Sequence, residues 1–334
     1  MDEQPDLRRL VAGYQVTQAL HVAAVLGIAD LLRDGPRPVA ELAAETESHE
    51  DALYRLLRAL AALGVLHEDE ERRFALTPAG GALRSDAPDS IAGWAAFVGR
   101  PSYWQAWGAL LHSVRTGENA FRHVHGTDVW RYRAERPEES VAFDRAMASL
   151  TRRAEAPLLE AYDFGRFRTA VDVGGGNGTL LAALLLRHPS LQGVLFDQPH
   201  VAEGARATLA TAGVADRCRV VGGSFFDAVP EGGDAYVLKM IVHDWEDDEA
   251  VRILRACRAA LAGDGVVVVV ERELERPNEG LDVKLGDLNM LVAPGGRERT
   301  ASEYGDLFDA AGLELAGDTP TASGLHVLEA RPRA

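Results

Sequence analysis

Hydrophobic positions in the first third of the chain recur at roughly helical spacing. Apolar residues follow this period from Leu7 to Leu31, where Gly35 and Pro36 end the stretch. Two further helical segments follow, RPVAELAAET and SHEDALYRLLRALAALG, and then two short strands around a charged turn in GVLHEDEERRFALT. The order of three helices and a hairpin predicts a helical, winged-helix-like domain over residues 1–95.

The pattern changes near residue 168, where short apolar strands begin to alternate with helical segments. The strands are RTAVDVGGG, GVLFDQP, DAYVLKMIV and GVVVVVERE, with a late helix in EYGDLFDAAGL and a final strand in GLHVLEARP. Such alternation predicts an α/β domain with a parallel, doubly wound sheet over residues 166–334. Residues 96–165 are predicted to be a helical linker that contributes to a ligand pocket, with Pro101 and Pro137 as breakers.

Composition and charge narrow the classes of protein. The 334 residues suffice for about two domains. Lys and Arg total 35 against 51 Asp and Glu, and the resulting charge of −16 disfavours nucleic acid or an anionic membrane as partner. The acidic start MDEQPDLRRL lacks signal-peptide order, and the chain has only two cysteines, Cys218 and Cys257. We therefore expect a cytoplasmic protein.

The segment VDVGGGNGTLL, residues 171–181, is the strongest motif. Glycines between a strand and a helix let the backbone turn sharply and approach a ligand closely. After Gly174 and Gly176, the third glycine of the dinucleotide fingerprint is replaced by Thr179, and Asp172 precedes the loop. This acid-x-G-x-G-x-G form suits S-adenosylmethionine (SAM), whereas a tight turn without a ligand is the alternative.

Two later strand ends could complete a cofactor site. Asp197 ends GVLFD, where an acid can bind ribose hydroxyls, although a turn aspartate would occupy the same position. Ser224 and Phe225 in VVGGSFFD would lie near the adenine, with a plain turn as the alternative.

A candidate base follows the fourth strand, in DAYVLKMIVHDWEDDEAVRIL. His243 lies where the carboxyl end of a strand opens towards ligands, and an imidazole with an ordinary pKa of about 6.5 can accept a proton at neutral pH. Glu271 follows VVVVV, and Glu298 lies in PGGRERT. A carboxylate near the imidazole would select its tautomer and stabilise the imidazolium. A loop histidine and two solvated glutamates are the alternative.

Other candidates are less specific. His123 and His125 in FRHVHG could imitate a metal pair, but no third ligand is evident nearby, so we expect no metal site. Side chains that could line an aromatic pocket, or equally a core, are Trp104, Trp107, Phe143, Met147 and Met290.

Several of these segments together resemble a known family. The chain is similar to the plant caffeate/flavonoid-type small-molecule O-methyltransferases and their bacterial antibiotic-pathway relatives over nearly its whole length. The matching segments are GYQVTQALHVAAVLGIADLL, ALYRLLRALAALGVL, VDVGGGNG, LFDQPHV, DAYVLKMIVHDWEDDEAVRILRACRAAL and DLNMLVAPGGRERT, of which the last two are specific. The resemblance implies a winged-helix-like dimerisation domain, a Rossmann-like SAM domain, a homodimer and a small aromatic hydroxyl substrate.

The resemblance also implies roles for particular residues. Gly174 and Gly176 would form the SAM loop, Asp197 would bind ribose, and Lys239 would contact the cofactor. His243 would be the general base, with Glu271 and Glu298 on either side of it. Phe143, Met147, Asn289 and Met290 fall on substrate-side segments. One departure is Ser224, because the family often has an acid there, which puts the adenine contact in doubt.

Three rival functions remain at this point. A SAM-binding relative could catalyse hydroxylation or decarboxylation, which the His243 and glutamate set disfavours. A winged-helix regulator would need a basic recognition helix, but the helix over residues 49–63 offers Arg55 and Arg58 against Glu50 and Asp51. An NAD-dependent oxidoreductase is disfavoured by the glycine spacing.

Overall fold

The computed structural model describes residues 6–333, and these divide into two compact units. The first unit contains the described residues up to Trp104 together with Glu138–Arg153. The second contains Gln105–Pro137 and the chain from Ala154 onwards. Among the helices of the described part, none has the length and apolar character needed to cross a bilayer.

Short helices and a small sheet make up most of the first unit. The helices are α1 (Leu7–Val11), α2 (Gly13–Val25), α3 (Ile28–Leu31), α4 (Val39–Glu45), α5 (Glu50–Ala62), α6 (Ala92–Val98) and α7 (Pro101–Gly108), whose last residues belong to the second unit. The strands are β1 (Arg37–Pro38), β2 (Leu66–Glu68) and β3 (Arg73–Leu76), in the antiparallel order β1-β3-β2.

Apolar faces of these helices pack on the small sheet. Leu42 of α4, Leu57 and Leu60 of α5 and Phe74 of β3 are fully buried in one cluster. The helices and the hairpin predicted for this region are present, but the first stretch is not a single helix. Gly27, with φ +65°, separates α2 from α3.

Nine helices follow along the described chain. They are α8 (Leu110–Thr116), α9 (Ala120–His125), α10 (Val129–Ala134), α11 (Pro137–Ala161), α12 (Thr179–Arg187), α13 (Pro199–Thr211), α14 (Asp247–Ala260), α15 (Leu281–Val292) and α16 (Ala301–Ala311). Pro101 and Pro137 each begin a helix, where the missing N–H of proline costs nothing. Short 3₁₀ helices cover Gly80–Leu83, Phe164–Arg166, Ala215–Arg217 and Val242–Asp244.

A seven-stranded sheet forms the centre of the second unit. Its strands are β4 (Thr169–Val173), β5 (Gln192–Asp197), β6 (Cys218–Gly222), β7 (Gly233–Lys239), β8 (Leu261–Glu271), β9 (Leu313–Pro320) and β10 (His326–Pro332), in the order β6-β5-β4-β7-β8-β10-β9. The first five are parallel, and β10 pairs antiparallel with both β8 and β9.

The predicted α/β fold is confirmed, but the sheet is mixed rather than wholly parallel. The sequence reading found β10 and missed β9, the strand that closes the edge. The reason is physical: β9 reads LELAGDTP and most of its residues are exposed, so it has no apolar run and it contains Gly317 and Pro320.

Helices cover both faces of the sheet. Along β8, Val267 and Val269 pack in a cluster with α14 and α16, whereas Val266, Val268 and Val270 pack in a cluster with α12 and α13. This alternation buries the parallel strands on both sides. Strands β4, β5, β7 and β8 are neighbours and run in one direction, so their carboxyl ends meet at one edge. Ligands of such sheets bind beyond that edge.

Candidate active site

The glycine loop directly follows β4 and is held against the end of β5. The Gly174 N–H donates to the Phe196 carbonyl at 2.8 Å, and Gly174 has φ +72°. A Cβ on Gly174 would lie 2.4 Å from Cδ1 of Ile241, so the loop is tight there. At Gly176, with φ +57°, no atom lies within 4 Å of the Cβ position. The loop therefore leaves space for a ligand beside its backbone, as a SAM site requires.

Asp197 joins the end of β5 to the glycine loop. Its Oδ2 accepts from the Gly176 N–H at 2.8 Å, and its Oδ1 accepts from the Gln198 N–H at 2.6 Å. Burial raises the pKa of Asp197 above its usual value, and the two N–H donors oppose that effect. Asp197 thus acts as a turn aspartate, and its position at the strand end still suits a ribose.

Asp172 and Lys239 bring an acidic and a basic side chain to neighbouring strands, β4 and β7. Burial raises the pKa of Asp172 to about 7 while Lys239 opposes the change, and burial lowers the pKa of Lys239 to about 8. Within residues 6–333, Oδ2 of Asp172 is buried without a hydrogen-bond partner. A buried oxygen of this kind is costly unless a polar group completes it, which fits a bound cofactor.

Ser224 and Phe225 lie in the loop after β6. Ser224 is exposed, and its hydroxyl accepts from the Phe226 N–H at 3.3 Å. The Phe225 ring packs edge-on against Trp245, with centroids 5.7 Å apart, and Phe226 packs on the same ring at 4.7 Å. This loop therefore presents an aromatic surface beside the segment that follows β7.

His243 lies in the 3₁₀ helix Val242–Asp244, just beyond β7, and is 5% exposed. Its Nδ1 is 3.1 Å from Oε1 of Glu298 and 3.8 Å from Oε2 of Glu271. Its Nε2 is 3.6 Å from Oδ1 of Asp244. The structure thus brings the three predicted catalytic residues together. It adds Asp244, the residue directly after the histidine.

Glu271, the last residue of β8, also binds the backbone that carries His243. Its Oε1 accepts from the N–H groups of Ile241 at 3.0 Å, Val242 at 2.8 Å and His243 at 3.3 Å. The carboxylate is fully buried, and burial raises its pKa to about 7 although His243 opposes the change. Glu271 therefore holds the turn as well as facing the imidazole.

The carboxylates change the acid–base behaviour of the imidazole. Burial alone would lower the pKa of His243, but Glu271, Asp244 and Glu298 together outweigh burial and raise that pKa to about 10. The expectation of an ordinary imidazole is therefore wrong. In the chain without ligands the imidazole carries a proton at neutral pH, because opposite charges within about 4 Å favour the charged form.

The segment that follows α15 packs directly on residues 242–247, which we call the histidine turn. The Arg297 N–H donates to the His243 carbonyl at 2.9 Å, and Oδ1 of Asp287 accepts from the Glu298 N–H at 3.0 Å. A Cβ on Gly296 would lie 2.1 Å from the His243 carbonyl oxygen, so only glycine fits there. Sequence reasoning took only Glu298 from PGGRERT as a site residue and missed this close packing, for which the glycine pair was the available signal.

The predicted substrate residues are distributed over both units. Trp104 on α7 and Phe143 and Met147 on α11 belong to the first unit, whereas Asn289 and Met290 on α15 belong to the second. Their role in binding a substrate stays a prediction.

The two histidines of FRHVHG contact different side chains. His123 stacks on His112 with ring centroids 3.7 Å apart, and His125 packs against Phe121 at 4.3 Å. Elsewhere in residues 6–333, two groups have ligand atoms within 4.8 Å of one another. They are His243 with Glu271 and Glu298, and Glu273 with Asp318 and His326. Since the first group already bonds within itself and to backbone, we keep the prediction of a metal-free site as a prediction.

Comparison with known proteins identifies the family to which the chain belongs. The O-methyltransferase domain family matches residues 107–314, and the O-methyltransferase dimerisation domain family matches residues 8–86. The chain is similar to phenazine O-methyltransferase PhzM from Lysobacter antibioticus, with 46% identity over 98% of this chain and 95% of that protein. It is also 37% identical to aclacinomycin 10-hydroxylase RdmB from Streptomyces purpurascens, over 96% of this chain and 88% of that protein.

A solved structure shows the same fold with ligands bound. It is the O-methyltransferase NcsB1 from neocarzinostatin biosynthesis, in complex with S-adenosyl-L-homocysteine and 1,4-dihydroxy-2-naphthoic acid. Its TM-score is 0.83 and its identity 35%, over 99% of this chain and all of that chain. Both family matches and these similarities lead to one conclusion: the chain belongs to the SAM-dependent O-methyltransferases that carry an N-terminal dimerisation domain.

Proposed function

We propose that this enzyme methylates a hydroxyl group of a small aromatic natural product and that His243 is the general base. The observation that carries the proposal is the bond from Nδ1 to Glu298 at 3.1 Å. Once the imidazole has lost its extra proton, the hydrogen that stays on Nδ1 donates to Glu298 and leaves Nε2 with a lone pair. The phenazine in the name of PhzM and the dihydroxynaphthoic acid bound to NcsB1 are both aromatic, which supports this substrate class.

Different residues of the chain would bind the cofactor and accept the proton. Gly174, Gly176 and Asp197 would hold SAM at the glycine loop, with Asp172 and Lys239 on the neighbouring strands β4 and β7. Ser224 and Phe225 would face the adenine of SAM. SAM supplies a methyl group on a sulfonium that is a good leaving group. Nε2 of His243 would accept the hydroxyl proton while the substrate oxygen takes the methyl group and the sulfur leaves as a neutral thioether. Glu271 and Glu298 stabilise the resulting imidazolium.

Methyl transfer from isotope-labelled SAM to a panel of aromatic hydroxyl compounds tests the function, with mass spectrometry of the products. Addition of one labelled methyl group is the expected result. RdmB is a relative with a different reaction, but the O-methyltransferase domain family covers most of the chain and favours methylation. Products that gain an oxygen or lose carbon dioxide without gaining the label would contradict the proposal.

Removal of the Asp197 carboxylate is expected to weaken SAM binding. Asp197→Ala loses two contacts that shape the glycine loop together with the proposed ribose contact. The expected cost is about 1–3 kcal/mol, the scale of buried hydrogen-bonding groups left unpaired. Calorimetric titration with SAM measures it, and Asp216→Ala, at an exposed position of the same unit, is the control. Equal affinities in both variants would contradict the assignment.

The rate is expected to rise with pH well beyond neutrality. The imidazole must be unprotonated to accept a proton, and its pKa is raised to about 10 by Glu271 on β8, Glu298 after α15 and Asp244 in its own turn. Glu298→Gln removes one of these charges, so the rate of this variant should rise at a lower pH than that of the wild-type enzyme. Profiles of kcat/KM over about pH 6–9, which report the ionisation of the enzyme before the substrate binds, make the comparison with a phenol that stays un-ionised there. A wild-type profile that is flat above pH 7 would contradict the expectation.

We also propose that the enzyme is a homodimer formed through its N-terminal helices. Leu7, Leu10, Val11 and Tyr14 are 57–77% exposed and lie on α1 and the start of α2, where the dimerisation domain family begins to match. Apolar side chains concentrated in this way are typical of a surface that a partner covers.

Light scattering at micromolar concentration is expected to give twice the chain mass of 36.0 kDa. The double variant Leu10→Glu/Val11→Glu should shift the population towards monomer, because charges would be buried without partners. Leu315→Glu, at an exposed apolar position on β9, is the matched control. A wild-type monomer, or an unchanged dimer in the double variant, would contradict the proposed interface.

A further inference from the structure

Arg299 is a buried cation that the reaction as described does not use. Its side chain is 1% exposed, in the segment that also carries Glu298. Its backbone is anchored beside the extension of β8, since the Leu274 N–H donates to the Arg299 carbonyl at 2.9 Å. A charge is seldom buried to this degree unless nearby acceptors compensate for its lost hydration.

The acceptors of the Arg299 guanidinium lie on both sides of His243. Nη1 donates to the Val242 carbonyl at 3.2 Å, and Nη2 donates to the Trp245 carbonyl at 2.8 Å. Nη2 and Nε both donate to Oδ1 of Asp247, at 2.7 and 3.1 Å. Three nitrogens of one planar group thus bind the residue before the histidine, the backbone two residues after it, and the start of α14.

These contacts place the histidine turn relative to Glu298. The turn is bound at its beginning by Glu271 and across its carbonyls by Arg299, whose neighbour Glu298 accepts from the imidazole. We propose that Arg299 is a positioning residue for the methyl transfer. It holds residues 242–247 so that Nδ1 of His243 stays bonded to Glu298 and Nε2 stays directed to the substrate. This inference rests on the proposed function of His243 as base.

Lysine cannot replace this group. A lysine carries its charge on one nitrogen, whereas the bonds to Val242, Trp245 and Asp247 require the forked geometry of a guanidinium. Arg299→Lys therefore keeps the charge and loses the simultaneous contacts. Arg331 on β10 provides a matched control, because two nitrogens of its guanidinium also donate to one carboxylate, that of Glu329, but its side chain is 56% exposed.

The test is a comparison of variants in two backgrounds. Arg299→Lys is expected to lower kcat at least tenfold with the dissociation constant of SAM within twofold of wild type, and Arg331→Lys should leave both unchanged. In a His243→Ala background, Arg299→Lys should change kcat less than twofold, because groups that act as a unit are not additive. An equal loss in both backgrounds would overturn the proposal, since Arg299 would then support the fold in general.

Two further measurements keep the test decisive. The imidazole N–H proton resonance of His243, assigned by its absence in His243→Ala, should move in Arg299→Lys and stay in place in Arg331→Lys. If His243→Ala has near wild-type activity, the proposed base is wrong, and this resonance still tests the positioning separately. An unmoved resonance overturns it. Should Arg299→Lys not fold, Asp247→Asn, at a more exposed partner, is expected to show the same changes at smaller size.

Discussion

Replacement of His243 by alanine is expected to lower kcat by roughly 10²–10⁴-fold, the contribution of a well-positioned base, while SAM affinity stays within about twofold of wild type. A phenol has a pKa of about 10, so at neutral pH its oxygen is a poor nucleophile until a base accepts the proton. Steady-state rates and calorimetric SAM binding separate the two effects. The exposed His67 provides the control substitution.

The loss in His243→Ala should shrink as the acceptor hydroxyl becomes more acidic, because an ionised oxygen needs no base. Compared at the pH where each enzyme is most active, Glu298→Gln should lose less rate than His243→Ala, and the two losses should not add, since the glutamate acts through the imidazole. A His243→Ala enzyme with near wild-type rate would reduce catalysis to proximity alone. Loss of SAM binding in this variant would mean that the histidine belongs to the cofactor site.

Gly296→Ala is expected to lower kcat at least tenfold and to destabilise the fold by about 1–3 kcal/mol, as overpacking commonly does. The added Cβ would lie 2.1 Å from the His243 carbonyl oxygen, 2.3 Å from the Trp245 nitrogen and 2.4 Å from the Asp244 carbonyl carbon. All three are backbone atoms, so no side-chain rotation relieves the contact and the histidine turn must move. Turnover and thermal unfolding of the variant measure the two effects.

Gly305→Ala is the matched control, because Gly305 lies within α16 and no atom lies within 4 Å of its Cβ position. Alanine there should leave kcat unchanged and stabilise the fold slightly, since it replaces glycine in a helix. If Gly296→Ala behaves like Gly305→Ala, the close packing of this segment on the histidine turn has no functional weight.

Residues at strand ends were predictable because their surroundings are local. The apolar runs before Asp197 and Glu271 identify strands, and a polar residue at the carboxyl end of a parallel strand lies at the ligand edge whatever the rest of the fold. The α/β fold follows from the same alternation. In contrast, β9 is exposed and has no such run, so only its pairing with β10 identifies it.

The functional geometry of the site depends on tertiary contacts that sequence spacing does not contain. Arg299 and Gly296 look like surface residues of a polar loop until the fold places them against His243. The raised pKa of His243 likewise requires Glu271 and Glu298, two carboxylates from distant parts of the chain, in addition to the neighbouring Asp244. The sequence alone could identify His243 as a candidate base, but it could not give the protonation state of the imidazole.

Glu271 contacts both the backbone of the histidine turn and the imidazole, and these two roles limit how the site can evolve. One of its oxygens binds three successive backbone N–H groups, while the carboxylate also faces the imidazole. Mutation of Glu271 therefore removes both the charge and the scaffold, whereas mutation of Glu298 alters the basicity of His243 and leaves those three bonds in place. A lineage that drifts towards a reaction without a base can discard Glu298 first, and Glu271 should be the last of the pair to change.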